Sequence, residues 1–397
     1  DGAGPDVVVV GSGVAGMTAA LRLLDSGARV FLLEKERKLG GNSAKASSGI
    51  NGCCPASSRS DKNAEDTVDA FVKDTAKSAL RDRGFAHTGS MIDILSSRSE
   101  GAIEWLKSRT TIDLSKVAQL GGHSYARTHR PSNGMIGAEL VFALQKELKK
   151  FEASGALRLC SGCRVTRLVT DASSGAVLGV AYVADGRAEE REVRAADTVL
   201  ATGGFANDRS NSSLLAKHRP DLLHFPTTNG EWATGDGMKL AMGIGASTVD
   251  MDRVQIHPTG FVDPKDLDAS TKVLCGEMMR GVGGVLLTPN GTRFVNELAP
   301  RDKARARAPC TLNHPPRPIS AATAVESSPA PARRPRDLGR GLIPGRGGRA
   351  GHGRDRVRHR AQLGGLAGGG QARRALRAQG AAVARRGRRG ARRVHGR

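Results

Sequence analysis

The last quarter of this 397-residue chain lacks two kinds of side chain that globular domains normally use. Residues 304–397 contain no lysine and no aromatic residue, whereas residues 1–303 hold all nine Phe, both Trp and both Tyr. The same stretch has 23 arginines and three acidic residues, so most of the formal charge of +22 belongs to it. The remaining body is nearly neutral, which weakens a role for the body in binding nucleic acid or a membrane surface.

Cysteines and long apolar runs are also scarce. Six cysteines in a chain of this length are too few and too scattered for a disulfide scaffold. Cys160 and Cys163 have the spacing of a redox motif, but they lie in a strand-like segment without a second pair, so we interpret them as structural. No apolar run approaches the roughly 20 residues that span a bilayer. Because the chain begins with Asp1, we interpret it as a fragment or a processed form.

The N-terminal apolar pattern predicts an α/β fold. Val7–Val10 is a β-branched run, typical of a strand buried on both faces. Helical spacing follows from Val14 to Ser26, and a second apolar run covers Val30–Leu33. This β-α-β order is typical of a parallel, doubly wound sheet. Further helices are predicted over 65–80, 91–107, 138–151 and 236–245, and three or four strands are predicted between 157 and 199.

Beyond residue 249 the pattern changes twice. The irregular segment 250–303 predicts the start of a second lobe, after a first domain over 1–249. Residues 304–397 are predicted to be a low-complexity basic tail, since Arg, Gly, Ala and Pro make up 65 of its 94 residues. It could be an RNA-binding arm, although it lacks the aromatic residues that stack on single strands, or a disordered linker. We favour a GC-rich gene read out of frame, because these four residues have GC-rich codons.

A glycine motif joins the first predicted strand to the first helix. Gly11 permits the tight turn, Gly13 lets the backbone approach a pyrophosphate, and Gly16 lets helix and strand pack closely. The helix N-terminus offers unpaired N–H groups to the phosphates. Glu34 ends the second strand and can accept hydrogen bonds from a ribose, and its charge would repel the 2′-phosphate of NADP. The motif therefore predicts a dinucleotide site.

Four further loops of small residues decide between NAD and FAD. They are Gly40–Ser43, Ser47–Asn51, Thr202–Gly204 and Thr234–Gly237. Each allows a long ligand to lie close to the backbone, and Asp236 adds a carboxylate that can hold hydroxyl groups. This number of close approaches favours extended FAD.

The chain resembles the flavoprotein of the fumarate reductase and succinate dehydrogenase superfamily, and it is most similar to the soluble fumarate reductases. The resemblance covers about residues 6–303. It rests on VVVVGSGVAG (7–16), LLEKE (32–36), GGNSAKASSGIN (40–51), RTHRP (127–131), LATGGF (200–205), ATGDG (233–237), QIHPTG (255–260), EMMRGVGG (277–284), GTRFVNE (291–297) and RDK (301–303).

The resemblance implies a Rossmann-like FAD-binding domain with an inserted capping domain, which is incomplete here. FAD should be non-covalent, because Asn42 stands near the position where succinate dehydrogenases carry the linking histidine. Val165 would touch the adenine through its backbone. Together with the glycine motif, the resemblance predicts FAD contacts from Gly11, Gly13, Ala15, Gly16, Glu34, Gly41, Asn42, Ser47, Ser48, Val165, Gly203 and Asp236.

The resemblance also implies the catalytic residues. Arg301 would be the proton donor, with Glu277 and Arg280 as its relay, while His257 would bind a substrate carboxylate and Gly49 would border the substrate. Each has another interpretation. His257 could be a buried loop histidine, Glu277 and Arg280 a helix-surface ion pair, and Arg301 a partner of its neighbour Asp302. No metal site is predicted.

The predicted function is FAD-dependent reduction of fumarate to succinate by a truncated or C-terminally altered chain. The family's second carboxylate-binding histidine, second substrate arginine and C-terminal FAD segment are not recognisable after Lys303. Another flavin oxidoreductase of the superfamily, such as an L-aspartate oxidase or a urocanate reductase, remains an alternative, as does a non-catalytic RNA-binding protein. Electrons would come from a donor domain or a reduced cofactor. We expect an intracellular protein, with the mitochondrion as the favoured compartment.

Overall fold

The computed structural model describes residues 4–53, 55–79, 89–288, 290–301 and 304, all of which belong to one compact unit, Asp1–Glu326. Asp302, Lys303 and the predicted tail from 305 onward lie outside the described part, as does Cys54, one of the six cysteines. The prediction that the tail is out of frame is therefore not addressed by the fold.

The first 250 residues contain most of the described strands and helices. The strands are β1 (Val7–Val10), β2 (Val30–Glu34), β3 (Ile50–Asn51), β4 (Lys116–Ala118), β5 (Thr128–Arg130), β6 (Leu157–Ser161), β7 (Cys163–Thr170), β8 (Val177–Ala184), β9 (Glu190–Arg194), β10 (Asp197–Leu200), β11 (Gly260–Phe261) and β12 (Val273–Leu274). The α-helices are α1 (Val14–Asp25), α2 (Val68–Ala79), α3 (Gly89–Arg109), α4 (Ile136–Ala153), α5 (Leu214–His218), α6 (Asp236–Gly243) and α7 (Met278–Gly281). Short 3₁₀ helices cover Gly41–Lys45, Ala56–Ser58 and Pro220–Leu222.

A four-stranded parallel sheet in the order β10-β1-β2-β6 forms the centre of the fold. Alternate residues of β1 enter two different cores, which explains its continuous β-branched run. Val7 and Val9 pack with helices α1 and α4, whereas Val8 and Val10 pack against the antiparallel sheet β7-β8-β9. The predicted β-α-β unit and α/β class are confirmed.

The segment from 157 to 199, which was predicted to hold three or four strands, holds four complete strands, β6 to β9, and most of a fifth, β10. Strands β6 and β7 are separated only by Gly162, and the single alternating pattern concealed the break. Gly162 has a φ of +67°, and the chain turns there from the parallel sheet into the antiparallel sheet. A disulfide joins Cys160 to Cys163 across this turn.

The described residues after 250 contain little regular structure. They hold the two-residue strands β11 and β12, paired antiparallel, and the short helix α7. The domain boundary between 249 and 250 stays a prediction. Within the described ranges, no helix combines the length and the apolar character that crossing a membrane requires.

Candidate cofactor and substrate site

The glycine motif forms the turn after β1, and two of its glycines have no room for a side chain. Gly11 has a φ of +101°, and a Cβ there would lie 2.5 Å from the carbonyl oxygen of Ala201. A Cβ on Gly16 would lie 1.8 Å from the carbonyl oxygen of Gly11. Gly16 therefore lets helix α1 approach the turn, in the packing role that the motif predicts.

A cavity of about 470 Å³ opens beside this turn. Its size lies in the range of small-molecule sites. Gly203 and Gly204 border open space, since a Cβ on either would meet nothing within 4 Å. Nine of the twelve residues predicted to contact FAD line this cavity, namely Gly11, Gly13, Ala15, Glu34, Gly41, Asn42, Val165, Gly203 and Asp236.

Glu34 lines the cavity and also holds the glycine turn. Its Oε2 accepts hydrogen bonds from the main-chain N–H of Ser12 at 2.9 Å and from the Ser12 hydroxyl at 2.6 Å. Its Oε1 accepts the N–H of Glu36 at 2.9 Å. Glu34 is 7% exposed, and these bonds fix the position of its carboxylate at the cavity wall. A ribose contact from Glu34 stays a prediction.

Asp236 meets the cavity at the N-terminus of α6. Lys35 Nζ lies 2.8 Å from its Oδ2, and the Thr234 hydroxyl lies 2.7 Å from its Oδ1. Burial raises the pKa of Asp236, but the hydrogen bonds from Lys35 and Thr234 outweigh burial and hold the pKa below its ordinary value. Asp236 is therefore a carboxylate that can accept hydrogen bonds. Lys35 also lines the cavity and was missed, although its position directly after Glu34 was a usable signal.

Asn42 contributes to the wall by joining two loops. Its side-chain amide donates to Asn229 Oδ1 at 2.8 Å, and its Oδ1 accepts the N–H of Gly230 at 2.9 Å. The indole of Trp232, in the same loop, lines the cavity. Sequence reasoning did not select Trp232, because a single tryptophan before a small-residue motif carries no specific signal.

Gly16, Ser47 and Ser48 do not line this cavity. The Ser48 hydroxyl accepts the N–H of Met278 at 3.3 Å, and Ser47 Oγ would lie 2.5 Å from a Cβ on Gly276. Ser47 Oγ is buried and has no hydrogen-bond partner among the described residues. The two serines therefore lie against the loop that leads into α7, and their contact with FAD stays a prediction.

Glu277 lies at the centre of a second group of polar residues, which we call the Glu277 cluster (Glu277, Arg280, Arg301 and Gln255). Arg301 donates to Glu277 Oε2 from Nε at 3.0 Å and from Nη2 at 2.6 Å, and its Nη1 donates to Gln255 Oε1 at 2.9 Å. Burial raises the pKa of Glu277, but the charge and hydrogen bonds of Arg301 outweigh it and lower the pKa. The residue Gln255, which sequence reasoning passed over, thus fixes the second side of the Arg301 guanidinium.

Arg280 is buried near Glu277 and Arg301, and two of its side-chain nitrogens lack hydrogen-bond partners among the described residues. Its Nη1 donates to the carbonyl of Glu297 at 2.9 Å, whereas Nε and Nη2 have no hydrogen-bond partner in the described part of the chain. Burial lowers the pKa of Arg280. Glu277 and Arg280 are each 4% exposed, so the interpretation as a helix-surface ion pair was wrong.

His257 lies beside the cluster, and its ring is held from one side. Its Nδ1 lies 2.8 Å from the carbonyl oxygen of Thr259, which can only accept, so Nδ1 carries a proton. Burial lowers the pKa of His257, and the charges of Arg301 and Arg280 lower it further. These effects favour the neutral ring, in which Nδ1 donates to the carbonyl of Thr259.

Gly49 precedes β3 and has a structural reason to be glycine. Its φ is +148°, and a Cβ would lie 2.4 Å from Thr128 Cγ2 and 2.7 Å from the carbonyl oxygen of His129. Its predicted place at the substrate stays a prediction. The described residues contain no cluster of three or more His, Cys, Asp or Glu side chains able to hold a metal ion.

Comparison with known proteins identifies the fold. The family model for an FAD binding domain matches residues 6–325. A fumarate reductase of Schizosaccharomyces pombe is 43% identical over 298 residues, covering 74% of this chain and 57% of the relative. Fumarate reductase 1 of Saccharomyces cerevisiae is 42% identical over 303 residues, covering 76% and 63%. The open conformation of a flavocytochrome c3 fumarate reductase aligns with a TM-score of 0.63 and 32% identity, covering 78% of this chain and 51% of that one.

These alignments have two consequences. The chain spans about three fifths of the length of the two yeast relatives. The family match covers most of the described residues, and the cavity at the glycine turn has the open backbone and the carboxylates that FAD requires. The chain belongs to the FAD binding domain family, and its cofactor is FAD.

Proposed function

We propose that this chain carries the flavin site and part of the substrate site of a fumarate reductase, and that Arg301 protonates the substrate. When bound, reduced FAD supplies a hydride to one alkene carbon, and the protein must then supply a proton to the other. The observation that carries the proposal is the contact of Arg301 with Glu277 through two nitrogens, inside a chain about 40% identical to two fumarate reductases.

The charges of the Glu277 cluster suit a dianionic substrate. Arg280 and Arg301 bring two positive charges, and Glu277 brings one negative charge, so the cluster has a net charge of +1. Two nitrogens of the buried Arg280 remain without a partner among the described residues, which leaves its charge poorly compensated. A dicarboxylate nearby would be stabilised by this excess, and held carboxylates polarise the alkene for hydride attack.

A free guanidinium does not lose its proton near neutral pH, so an arginine is normally a poor proton donor. We propose that Glu277 makes proton donation by Arg301 possible. Glu277 Oε2 accepts two N–H groups of Arg301, so it lies where it can return a proton to Arg301 after transfer, and we propose that Arg280, whose charge acts on Glu277, resupplies that proton. Desolvation of Arg280 lowers its pKa and favours proton loss. In this relay Glu277 is the base between two arginines.

His257 is proposed to bind a substrate carboxylate through Nε2. Because Nδ1 already carries a proton for Thr259, an N–H at Nε2 requires the doubly protonated ring. An arriving carboxylate would raise the pKa of His257 and so favour this state. Substrate binding is therefore coupled to the uptake of a proton.

FAD is proposed to bind without a covalent link, because Asn42 lines the cavity near the position where the resemblance to succinate dehydrogenases implies a linking histidine. Acid precipitation of the FAD-loaded protein should release the yellow chromophore into the supernatant. Flavin that stays in the pellet would contradict this.

The electron donor is proposed to be a separate domain, a partner or a reduced cofactor. An intracellular location, with the mitochondrion as the favoured compartment, stays a prediction that cell fractionation can check.

The proposed activity is tested with the FAD-loaded protein and reduced methyl viologen. Addition of fumarate should cause oxidation of the viologen and formation of succinate, detected by NMR. Urocanate is assayed in parallel. A protein that retains FAD but oxidises the viologen with urocanate and not with fumarate, or with neither compound, would contradict the assignment.

A further inference from the structure

The second oxygen of Glu277 is held by a turn that none of the assignments above includes. While Oε2 accepts from Arg301, Oε1 accepts the main-chain N–H of Gly121 at 2.9 Å. A Cβ on Gly121 would lie 2.7 Å from this oxygen and 3.1 Å from the carbonyl oxygen of Ala299. Gly121 therefore gives Glu277 a close main-chain donor that a larger residue would displace.

The turn over residues 119–124 is fastened to helix α2 by Ser124 and Asp74. The main-chain N–H of Ser124 donates to Asp74 Oδ2 at 2.7 Å, and the Ser124 hydroxyl donates to Asp74 Oδ1 at 2.7 Å. On the opposite side of the turn, the N–H of Gly122 donates to the carbonyl of Leu298 at 3.1 Å. The position of Gly121 thus depends on these two attachments.

Asp74 is in turn fixed by a buried arginine. Arg127 is fully buried, donates to Asp74 from Nη1 at 2.5 Å, and binds Asp66 through Nε and Nη2. Its guanidinium carbon lies 4.7 Å from the centre of the Phe71 ring. This buried network therefore fixes the geometry of Asp74 before Asp74 meets the turn.

We infer that Asp74 and Ser124 are positioning residues that hold the Gly121 N–H against Glu277 and so set the basicity and orientation of the relay carboxylate. The inference rests on the proposed function of Glu277. Two oxygens with fixed and different partners leave the carboxylate one orientation, in which Oε2 faces Arg301. The Gly121 hydrogen bond is among the interactions that lower the pKa of Glu277.

The test uses Ser124 because it is exposed, whereas removal of Asp74 would take from the buried Arg127 one of its two carboxylate partners and leave Nη1 without that bond. Ser124→Ala removes one bond of the attachment, and Ser124→Thr keeps the hydroxyl. Ser173→Ala is the matched control, because Ser173 also donates its hydroxyl and its N–H to one aspartate, Asp171, but does so in the exposed β7–β8 turn.

The first measurement is the pKa of Glu277, followed by NMR in protein labelled with ¹³C-glutamate and assigned through Glu277→Gln. Arg301, Arg280, His123 and His257 are the charged or titratable groups around this carboxylate. We expect Ser124→Ala to raise the pKa by about one unit, since a donor to the charged form is weakened. Ser124→Thr should restore the original value, and Ser173→Ala should not change it.

The second measurement is turnover with fumarate, where Ser124→Ala should lower kcat about tenfold with little change in KM. A wild-type protein without fumarate reduction would refute the proposed function, while the titration would still decide the positioning role. If Ser124→Ala lowers the melting temperature but leaves the Glu277 pKa unchanged, or changes only the titration of His123, the inference is overturned and the attachment serves stability alone.

Discussion

The cofactor cavity is lined by residues of several glycine turns together with side-chain-bearing residues such as Glu34 and Asp236, whereas the Glu277 cluster is formed by polar side chains from distant parts of the chain. At the cavity, Gly11 and Gly16 have fixed roles because any Cβ would meet backbone atoms. At the cluster, Gly121, Gln255 and Arg301 converge on Glu277 or its partner across separations of 24 to 156 residues. Local backbone geometry thus builds the glycine turn of the first site, which long-range contacts such as that of Lys35 with Asp236 complete, and long-range packing builds the second.

The two regions also differ in the solvent exposure of the apolar side chains around them. Side chains of β1 and β2 are almost entirely buried, with Val8, Val9 and Leu32 at 0% exposure. In contrast, Val273 is 72% exposed and Val282 is 64% exposed in the irregular segment that holds the cluster. We therefore expect changes in the cavity to affect cofactor retention and folding, and changes in the cluster to affect turnover with the cofactor still bound.

Replacement of Arg301 should have the largest effect on turnover. It should also show most clearly that the cluster can be changed without affecting FAD binding in the cavity. Arg301→Ala should lower fumarate reduction by about 10²–10⁴-fold, the usual effect of removing a positioned proton donor, with FAD content unchanged. Arg293→Ala is the matched control, because Arg293 also contacts a glutamate, Glu297, through two nitrogens but is not placed in the relay. Retention of more than about a tenth of the wild-type rate would remove Arg301 from its proposed role.

A side chain at Gly16 should instead distort the glycine turn beside the cavity and weaken FAD binding. In Gly16→Ala the new Cβ overlaps the carbonyl oxygen of Gly11, so the helix must move from the turn at a cost of about 1–3 kcal/mol. FAD content and melting temperature should both fall. Gly101→Ala in helix α3 is the control, since its Cβ would meet nothing within 4 Å. Equal FAD content in the two purified variants would contradict the assigned packing role.

Loss of the Glu34 carboxylate should weaken FAD binding by a smaller amount. Glu34→Ala removes the predicted ribose acceptor together with its bonds to Ser12, and hydrogen bonds to a charged acceptor contribute about 1.5–3 kcal/mol. The dissociation constant, measured by flavin fluorescence, should rise on the order of 10- to 100-fold. Glu36→Ala, which keeps the main-chain N–H to Glu34, serves as control, and similar affinities in both variants would argue against a ribose contact.

The smallest effect is expected in the pH dependence of substrate binding. Burial keeps the pKa of His257 below its ordinary value in the free protein, and carboxylate binding needs the protonated ring, so binding takes up one proton. Above the free-protein pKa, KM for fumarate should therefore rise with pH by at most about tenfold per unit, until the pKa of the complex is passed. His257→Ala should bind more weakly and lose this dependence. A wild-type KM independent of pH would contradict the proposal.

Much of the fold and of the cofactor site could be predicted because they depend on short stretches of sequence. The run Val7–Val10 predicts a fully buried strand, and the structure places a strand over these same residues. The helix predicted from Val14 to Ser26 ends one residue earlier, at Asp25. The break at Gly162 was missed because both sides of it continue the same alternating pattern, and only pairing with different partner strands separates β6 from β7.

The sequence by itself determined the glycine turn, the acid at the end of β2 and the α/β class, since each depends on backbone conformations and periodicities within a few residues. Only the tertiary structure decided which polar groups surround Glu277. Gly121, Gln255 and Asp74 carry no local signal for this role, because an N–H or a carboxylate at such positions becomes specific only when another segment is packed against it. Buried polar groups must find partners, and the fold alone chooses them.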